Sequence, residues 1–168
     1  MSAKQDAQEL ALRKLASRDR TEMEIREYLK NFNVDNKEIN EAIIYLKNCG
    51  YIDDERYCMK YYEYARTKNK ASYRILSELK QKGISTDYAK AVIEKMKDDA
   101  QYSETIVDDR TAALNVGIKM DRERRESGKA ADEKFYARVG RRLMTLGYNS
   151  GICYYVIGRI RSRLSNDE

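Results

Sequence analysis

The chain has 168 residues, of which 33 are Lys or Arg and 28 are Asp or Glu, giving a formal net charge of +5. It has no histidine and only scattered glycines, which excludes Ser-His and Cys-His nucleophile pairs, imidazole metal ligation and a phosphate-cradling glycine loop. The three cysteines are isolated and no apolar stretch could span a bilayer, so we expect a cytoplasmic protein whose cysteines are small buried side chains.

The first third of the chain predicts three helices. Residues 7–17 place their apolar side chains on one face. Thr21 and Glu24 have the spacing of a capping box, which predicts the start of a second helix. Asn33 is a residue type that accepts the left-handed conformation found where a helix ends. Asp35 can then cap a third helix, so a tight turn joins the second and third helices.

The middle third repeats this arrangement. The segment "YIDDERYCMKYYEYARTK" at 51–68 predicts a helix that Asp53 can cap, while Asp54 and Glu55 suit the positive end of the helix dipole. The same three acids could form a metal or acid-base cluster, but capping explains them better. The stretch "LKQKGIS" at 79–85 is a second helix-glycine-helix turn, because it ends one helix at a glycine and offers a serine cap to the next.

The last third predicts a longer helix, from about Glu104 to Arg125, followed by a third pair. Asp-Asp pairs at 98–99 and 108–109 flank its start, where they can cap or solvate it. The segment "RERRESGKAAD" at 122–132 is so polar that we expect a solvated helix tip and a loop. The stretch "LMTLGYN" at 143–149 is the third copy of the turn.

The three turns align without gaps, and this registration predicts an internal repeat. The position that ends the helix and the position that caps the next one are Asn33 and Asp35, Gly83 and Ser85, and Gly147 and Asn149. We therefore predict an all-α fold of three tandem three-helix repeats, at 1–50, 51–100 and 101–168. Because each repeat has a small core, we expect them to stack into an elongated, curved body.

Basic residues concentrate in two blocks, 60–82 and 134–164, and the second block contains no acidic residue. Such blocks attract phosphates or acidic protein surfaces, although a basic helix face is also often simply solvated. Tyr62, Tyr73 and Tyr155 fall off the apolar stripes and are further candidates for partner contacts. The basic residues that we predict to bind a partner or DNA are Arg66, Lys68, Lys70, Arg74, Lys82, Arg138, Arg141, Arg142, Arg159 and Arg163.

The central segment, 51–85, closely resembles the middle repeat of the RecX family, the regulators of the RecA recombinase. The positions that carry the resemblance are Ile52, Asp53, Asp54, Arg56, Tyr57, Arg66, Arg74, Ile75, Glu78, Leu79, Lys82, Gly83 and Ile84. The stretches "ALRKLASRDRTEMEIREYL" and "RRLMTLGYNSGICYYVI" resemble the opening and closing repeats. The sequence departs from the family pattern where Tyr57 replaces Phe, where Lys70-Ala71-Ser72 replaces a Gly-Pro, and where Leu146 replaces an Arg.

The resemblance implies a non-enzymatic regulator that binds RecA filaments on DNA, lies along the filament groove, and modulates, usually inhibits, ATP hydrolysis and strand exchange. It implies no cofactor, metal or membrane partner, and we expect a monomer. One alternative is a helical-repeat protein that binds DNA nonspecifically without a recombinase, because each repeat also has the helix-turn-helix layout. A third hypothesis, an enzyme that works through carboxylates such as Asp53 and Asp54, has less support.

Overall fold

A computed structural model describes the backbone of residues 3–102 and 106–166, and the side chains of residues 7–99, 101–102 and 106–162. Throughout these residues the secondary structure is helical, without strands. Nine α-helices and one short 3₁₀ helix, Ala100–Tyr102, follow one another along the described chain. The α-helices are α1 (Ala3–Leu15), α2 (Glu22–Lys30), α3 (Asn36–Asn48), α4 (Asp54–Thr67), α5 (Ser72–Gln81), α6 (Thr86–Lys97), α7 (Asp109–Glu126), α8 (Glu133–Thr145) and α9 (Ser150–Asn166).

The three predicted helix-turn-helix pairs are confirmed as α2–α3, α5–α6 and α8–α9. The residue that ends the first helix of each pair has a positive φ: +58° at Asn33, +85° at Gly83 and +95° at Gly147. In each turn, the amide of the next residue bonds back to the carbonyl five residues earlier, as Tyr148 does to Leu143 at 3.1 Å. This pattern closes a helix C-terminus that would otherwise leave its last carbonyls without donors.

The predicted caps of the following helices are also in place. The side chain of Asp35 accepts a hydrogen bond from the amide of Glu38 at 2.9 Å, and Asn149 accepts one from Ile152 at 3.0 Å. Ser85 does the same for Tyr88 at 3.2 Å. The order of helices therefore matches three tandem three-helix sets, α1–α3, α4–α6 and α7–α9, which we call the first, second and third repeats. Their bounds at 1–50, 51–100 and 101–168 stay predictions.

Backbone contacts divide the chain into two compact units. Unit 1 falls within residues 1–61 and 77–94, and its core includes Ile25, Leu29 and Leu46. Unit 2 falls within residues 62–76 and 95–168. Its core is formed mainly by α7, α8 and α9, through buried side chains that include Ala71, Ala113, Phe135, Val139, Leu143, Val156 and Ile160. Helices α4, α5 and α6 contribute residues to both units.

Three side-chain expectations are wrong. Cys58 and Cys153 are buried as expected, but Cys49 is exposed, because it lies at the C-terminal cap of α3. Tyr62 is buried rather than available to a partner. The polar end of α7 is not fully solvated, since Arg124 is buried, pairs with Asp121 at 2.8 Å and lies over a ring of the unit 2 core.

The long third-repeat helix was expected to begin near residue 104, which lies outside the described residues, whereas α7 begins at Asp109. Its first turn is fixed by Asp108, whose carboxylate accepts hydrogen bonds from the amides of Arg110 and Thr111. None of the helices within the described chain is both long and apolar enough to cross a membrane.

Candidate partner-binding surface

Helix α8 is strongly two-sided, and this property presents a basic face in unit 2. Asp132 starts the helix by accepting a hydrogen bond from the amide of Phe135 at 2.9 Å. Apolar side chains then recur every three or four residues and are buried: Phe135, Tyr136, Val139, Leu143 and Leu146. Basic side chains recur at the same spacing on the exposed side: Lys134, Arg138 and Arg141, with Arg142 at its edge. The burial of the apolar stripe therefore turns the basic stripe outward.

The arginines of this face are available to a partner. Arg141 and Arg142 are exposed, and neither guanidinium has a hydrogen bond or ion pair to any residue that the structure describes. Arg138 is exposed and lies over the ring of Phe135, 5.6 Å from its centroid. Because these cations are not neutralised by the described acidic residues, their field extends into solvent.

Arg74 joins this surface from α5. Its guanidinium donates a hydrogen bond to the carbonyl oxygen of Thr145, the last residue of α8. The hydroxyl of Thr145 bonds back to the carbonyl of Arg141 at 2.9 Å, which places Arg141 one turn before it. A cation at the carboxyl end of a helix is favoured by the helix dipole. The structure thus brings together Arg74, Arg141 and Arg142, which lie far apart in the sequence. We call Arg74, Arg138, Arg141 and Arg142 the α8 basic face.

Close approach at this junction depends on Gly147. A Cβ on that residue would lie 2.6 Å from the Cβ of Arg74, which is closer than two non-bonded carbon atoms can approach. The amide of Ala71 also donates to the carbonyl of Leu146 at 2.9 Å. Leu146 is buried in the core of unit 2, so this side chain serves packing.

Arg66 does not belong to a surface. It is 9% exposed, and its guanidinium donates to the carboxylate of Asp109 at 2.9 Å, to the carbonyl of Lys70 at 3.1 Å and to the carbonyl of Val107. Arg66 and Asp109 therefore form a structural ion pair, because removing the charge of one would leave the buried charge of the other without a partner. Sequence reasoning assigned Arg66 to a partner because the approach of Asp109, 43 residues along the chain, has no local signal.

The remaining predicted residues are dispersed. Lys68 is exposed beside the ring of Tyr64, 5.5 Å from its centroid, and Lys70 is half-buried. Lys82 lies in unit 1, 3.8 Å from Glu24 and 5.7 Å from the ring centroid of Tyr61. A separate position, Arg159 on α9, is exposed without a partner among the described side chains. The side chain of Arg163 lies outside the described residues.

Unit 2 also exposes large apolar side chains. Tyr73 is 77% exposed and adjoins Arg74 in the sequence, and Met144 is 64% exposed and lies in the last turn of α8. Tyr155, in contrast, is partly buried and lies under Arg110, 4.6 Å from the guanidinium carbon to the ring centroid. Tyr, Met and Arg are enriched at protein interfaces, so Tyr73 and Met144 suit a protein partner next to the basic face.

The acidic pairs have structural roles. Asp53 caps α4 by accepting a hydrogen bond from the amide of Arg56 at 2.9 Å, as its position predicts. Asp54 accepts one from the amide of Glu22 at 2.9 Å, and burial raises the pKa of its carboxyl above the ordinary value. Within the described residues, no group of carboxylates and thiols could hold a metal ion.

The sequence is similar to known regulatory proteins. The family model for the first three-helix domain of RecX matches residues 7–46, which contain most of α1 together with α2 and most of α3. A regulatory protein RecX of Streptococcus pneumoniae serotype 19F (strain G54) is 35% identical over 96 residues. A second, from S. pneumoniae strain ATCC 700669 / Spain 23F-1, is 35% identical over 99 residues. Over these segments the chain is similar to the RecX family.

The sequence matches cover only part of the relatives, whereas the structural matches cover most of this chain. The match to each pneumococcal RecX protein spans 56% of this chain and 36% of the relative, so the chain covers about a third of their length. The crystal structure of RecX from Lactobacillus salivarius has a TM-score of 0.70 at 19% identity, and it covers 95% of this chain and 97% of that one. Another crystal structure of a regulatory protein RecX has a TM-score of 0.65 at 21% identity, covering 92% of this chain and 71% of that one. These structures establish a shared RecX fold.

Proposed function

We propose that this RecX-like protein binds RecA recombinase filaments assembled on DNA and inhibits their ATPase and strand-exchange activities. The observation that carries the proposal is the α8 basic face, where Arg141 and Arg142 have no acidic partner among the described side chains. The kind of partner is inferred from the similarity to regulatory RecX proteins, because the RecX family that the sequence resembles regulates the RecA recombinase. The exposed Tyr73 and Met144 would add apolar contact to a charged interface.

The contact would be electrostatic and distributed. Each exposed arginine contributes little by itself, because water and salt screen its charge. Several such contacts to one polymer act together, since the first contact raises the effective concentration of the next. Binding of this kind needs no cofactor and no catalytic group, so we propose a non-enzymatic regulator that acts as a monomer in the cytoplasm.

The test is a titration of DNA-dependent RecA ATPase activity with the protein and with R141E/R142E. The wild-type protein is expected to lower the ATPase rate at equimolar or smaller amounts. The double variant is expected to need at least about tenfold more protein for the same inhibition, because each reversal replaces an attraction with a repulsion. Its helical circular dichroism should be unchanged, since both side chains are exposed.

The matched control is K119E/R122E, which makes the same change in net charge on exposed positions of α7. This variant should inhibit like the wild type, because neither residue belongs to the α8 basic face. Equal inhibition by R141E/R142E and the wild type would move the contact elsewhere. The absence of any effect of the wild-type protein on RecA would refute the proposed function.

A second candidate function is nonspecific DNA binding without a recombinase. Exposed Lys68 beside Tyr64 favours it, because a basic side chain next to an aromatic ring suits a nucleic acid strand. Binding to bare DNA and to RecA–DNA filaments should be measured at several salt concentrations. Equal affinity for both, with the same steep salt dependence, would favour the direct DNA binder over the filament regulator.

A further inference from the structure

Two Asp-Asp pairs lie at equivalent places in the second and third repeats. Asp53 and Asp54 lie at the start of α4, and Asp108 and Asp109 lie at the start of α7. The first aspartate of each pair caps its own helix: Asp53 accepts from the amide of Arg56, and Asp108 accepts from amides in the first turn of α7. This role is local and is expected of aspartate at such a position.

The second aspartate of each pair reaches a different helix. The carboxylate of Asp54 accepts a hydrogen bond from the amide of Glu22, the first residue of α2, at 2.9 Å. The carboxylate of Asp109 accepts from the amide of Ser72, the first residue of α5, at 3.0 and 3.1 Å, and from the Ser72 hydroxyl at 2.8 Å. In both cases the acceptor is on the first helix of one repeat and the donor is on the middle helix of the repeat before it.

The geometry points to a device that couples neighbouring repeats. We propose that Asp54 and Asp109 are latches, each of which fastens the middle helix of one repeat to the first helix of the next so that the two unfold together. The latch at Asp54 lies within unit 1, and the latch at Asp109 lies within unit 2.

The donors in these contacts are first-turn helix amides, and a carboxylate is a strong acceptor for such an amide. The first amides of a helix have no acceptor inside it, and they carry the positive end of its dipole. A carboxylate from another helix can satisfy such an amide with a charge-assisted hydrogen bond. Its loss would leave a partly buried amide without an acceptor, which costs more than an ordinary surface contact. At Asp109 the same carboxylate also holds the buried Arg66, so the second latch includes an ion pair.

The same helix starts are held from a second side, by the glycine turn of the following repeat. The hydroxyl of Thr21, just before α2, donates to the carbonyl of Lys82 at 2.5 Å. The amide of Ala71, just before α5, donates to the carbonyl of Leu146 at 2.9 Å. Each carbonyl precedes a glycine, and a Cβ on that glycine would overlap Met23 in the first junction or Arg74 in the second. Two points of attachment fix a helix start more firmly than one.

The contact itself is tested by amide hydrogen exchange in the full chain. A first-turn amide normally exchanges fast, but the latch predicts that the Glu22 amide is protected in the wild type. D54A should speed exchange at Glu22 by about tenfold or more. In the control D53A, the Glu22 amide should stay protected, and the Arg56 amide should exchange faster instead. Equal exchange at Glu22 in D54A and the wild type would overturn the latch.

The energetic coupling is tested by a double-mutant cycle. Proline is favoured at the first position of a helix and has no amide hydrogen, and Thr21 has the extended ψ of 161° that a following proline requires. E22A and E22P both lose the side-chain pairs of Glu22 with Arg26 and Lys47, but only E22P also loses the donor. We expect D54A to raise the unfolding equilibrium constant about tenfold in E22A and not at all in E22P.

The control cycle replaces D54A by D53A, which should cost the same in both backgrounds because Asp53 does not contact Glu22. An equal cost of D54A in E22A and E22P would overturn the coupling.

For the second latch, S72A keeps the Ser72 amide and S72P removes it, while both lose the hydroxyl. S72P should therefore unfold more readily than S72A by about tenfold, and equal stability of the two would overturn that latch. These measurements involve no recombinase, so they are independent of the proposed function.

Discussion

Gly83 and Gly147 each satisfy two separate requirements, and only one of them is visible in the sequence. Their φ angles of +85° and +95° belong to a left-handed helix end, which Asn33 also adopts at +58°. A sequence pattern predicts that requirement, because glycine and asparagine both accept it. The second requirement is the lack of a Cβ, since Met23 and Arg74 of the preceding repeat lie so close to Gly83 and Gly147. That approach comes from tertiary packing, and it explains why glycine rather than asparagine stands at these two turns.

We predict that G83A destabilises the protein far more than G50A does. Both glycines have positive φ, but a Cβ on Gly50 would meet nothing within 4 Å, whereas one on Gly83 would overlap Met23. G50A should cost about 1 kcal/mol from backbone strain alone. G83A should cost about 2–5 kcal/mol, because overpacking adds to the strain. Urea unfolding measures both, and equal losses would show that the close approach at Gly83 has no energetic consequence.

The fate of single charged or reactive residues was the least predictable part of the sequence. Arg66 lies in a basic block, yet it is buried against Asp109, and Arg124 lies in a very polar segment, yet it is buried against Asp121. Both ion pairs depend on where the chain folds back, which composition does not encode. Cys58, in contrast, is buried as expected. Burial raises the pKa of its thiol to about 11, which keeps the thiol protonated and unreactive at neutral pH.

At the scale of helices, the sequence predicted most of what forms. Capping residues and apolar spacing located the α2–α3, α5–α6 and α8–α9 pairs, because these signals are local and repeat three times. The sequence also located the basic block at 134–164, and the basic stripe of α8 within that block is exposed. The meeting of Arg74 with the carboxyl end of α8 was not predicted, because it joins residues 71 apart in the sequence.

The start of α2 gives a prediction for a helix as a unit. Thr21 is fully buried; its hydroxyl accepts a hydrogen bond from the amide of Glu24 and donates one to the carbonyl of Lys82. T21A should lower the free energy of unfolding by about 1–3 kcal/mol, since it removes both bonds. T21S should keep most of that stability.

The comparison for T21A is D132A, which removes an exposed cap of α8 without a second bond to another helix. D132A should cost only about 1 kcal/mol, as an ordinary cap does. Thermal or urea unfolding of T21A, T21S and D132A measures the three losses of stability. A loss in T21S as large as that in T21A would show that packing of the methyl group, and not the hydroxyl, holds the start of α2.

At the scale of the whole molecule, the resemblance to RecX and the order of the helices follow from the sequence, while the partner surface needs the structure. The middle motif and the repeated turns resemble RecX, and the comparisons agree with that assignment. Of the ten basic residues predicted to contact a partner, Arg66 is used internally, and Arg74, Arg138, Arg141 and Arg142 assemble around α8. The sequence positions alone could not separate these groups, because burial and the side of the helix on which a residue lies decide which charges can reach a partner.

The central claim is that the α8 basic face contacts a recombinase filament. The most direct measurement is an electron cryomicroscopy reconstruction of the protein bound to RecA filaments on DNA. We expect density for the helical repeats on the filament, with Arg74, Arg138, Arg141 and Arg142 turned toward RecA or DNA phosphates. A bound protein whose α8 basic face points into solvent, or a filament that carries no added density at saturating protein, would contradict it.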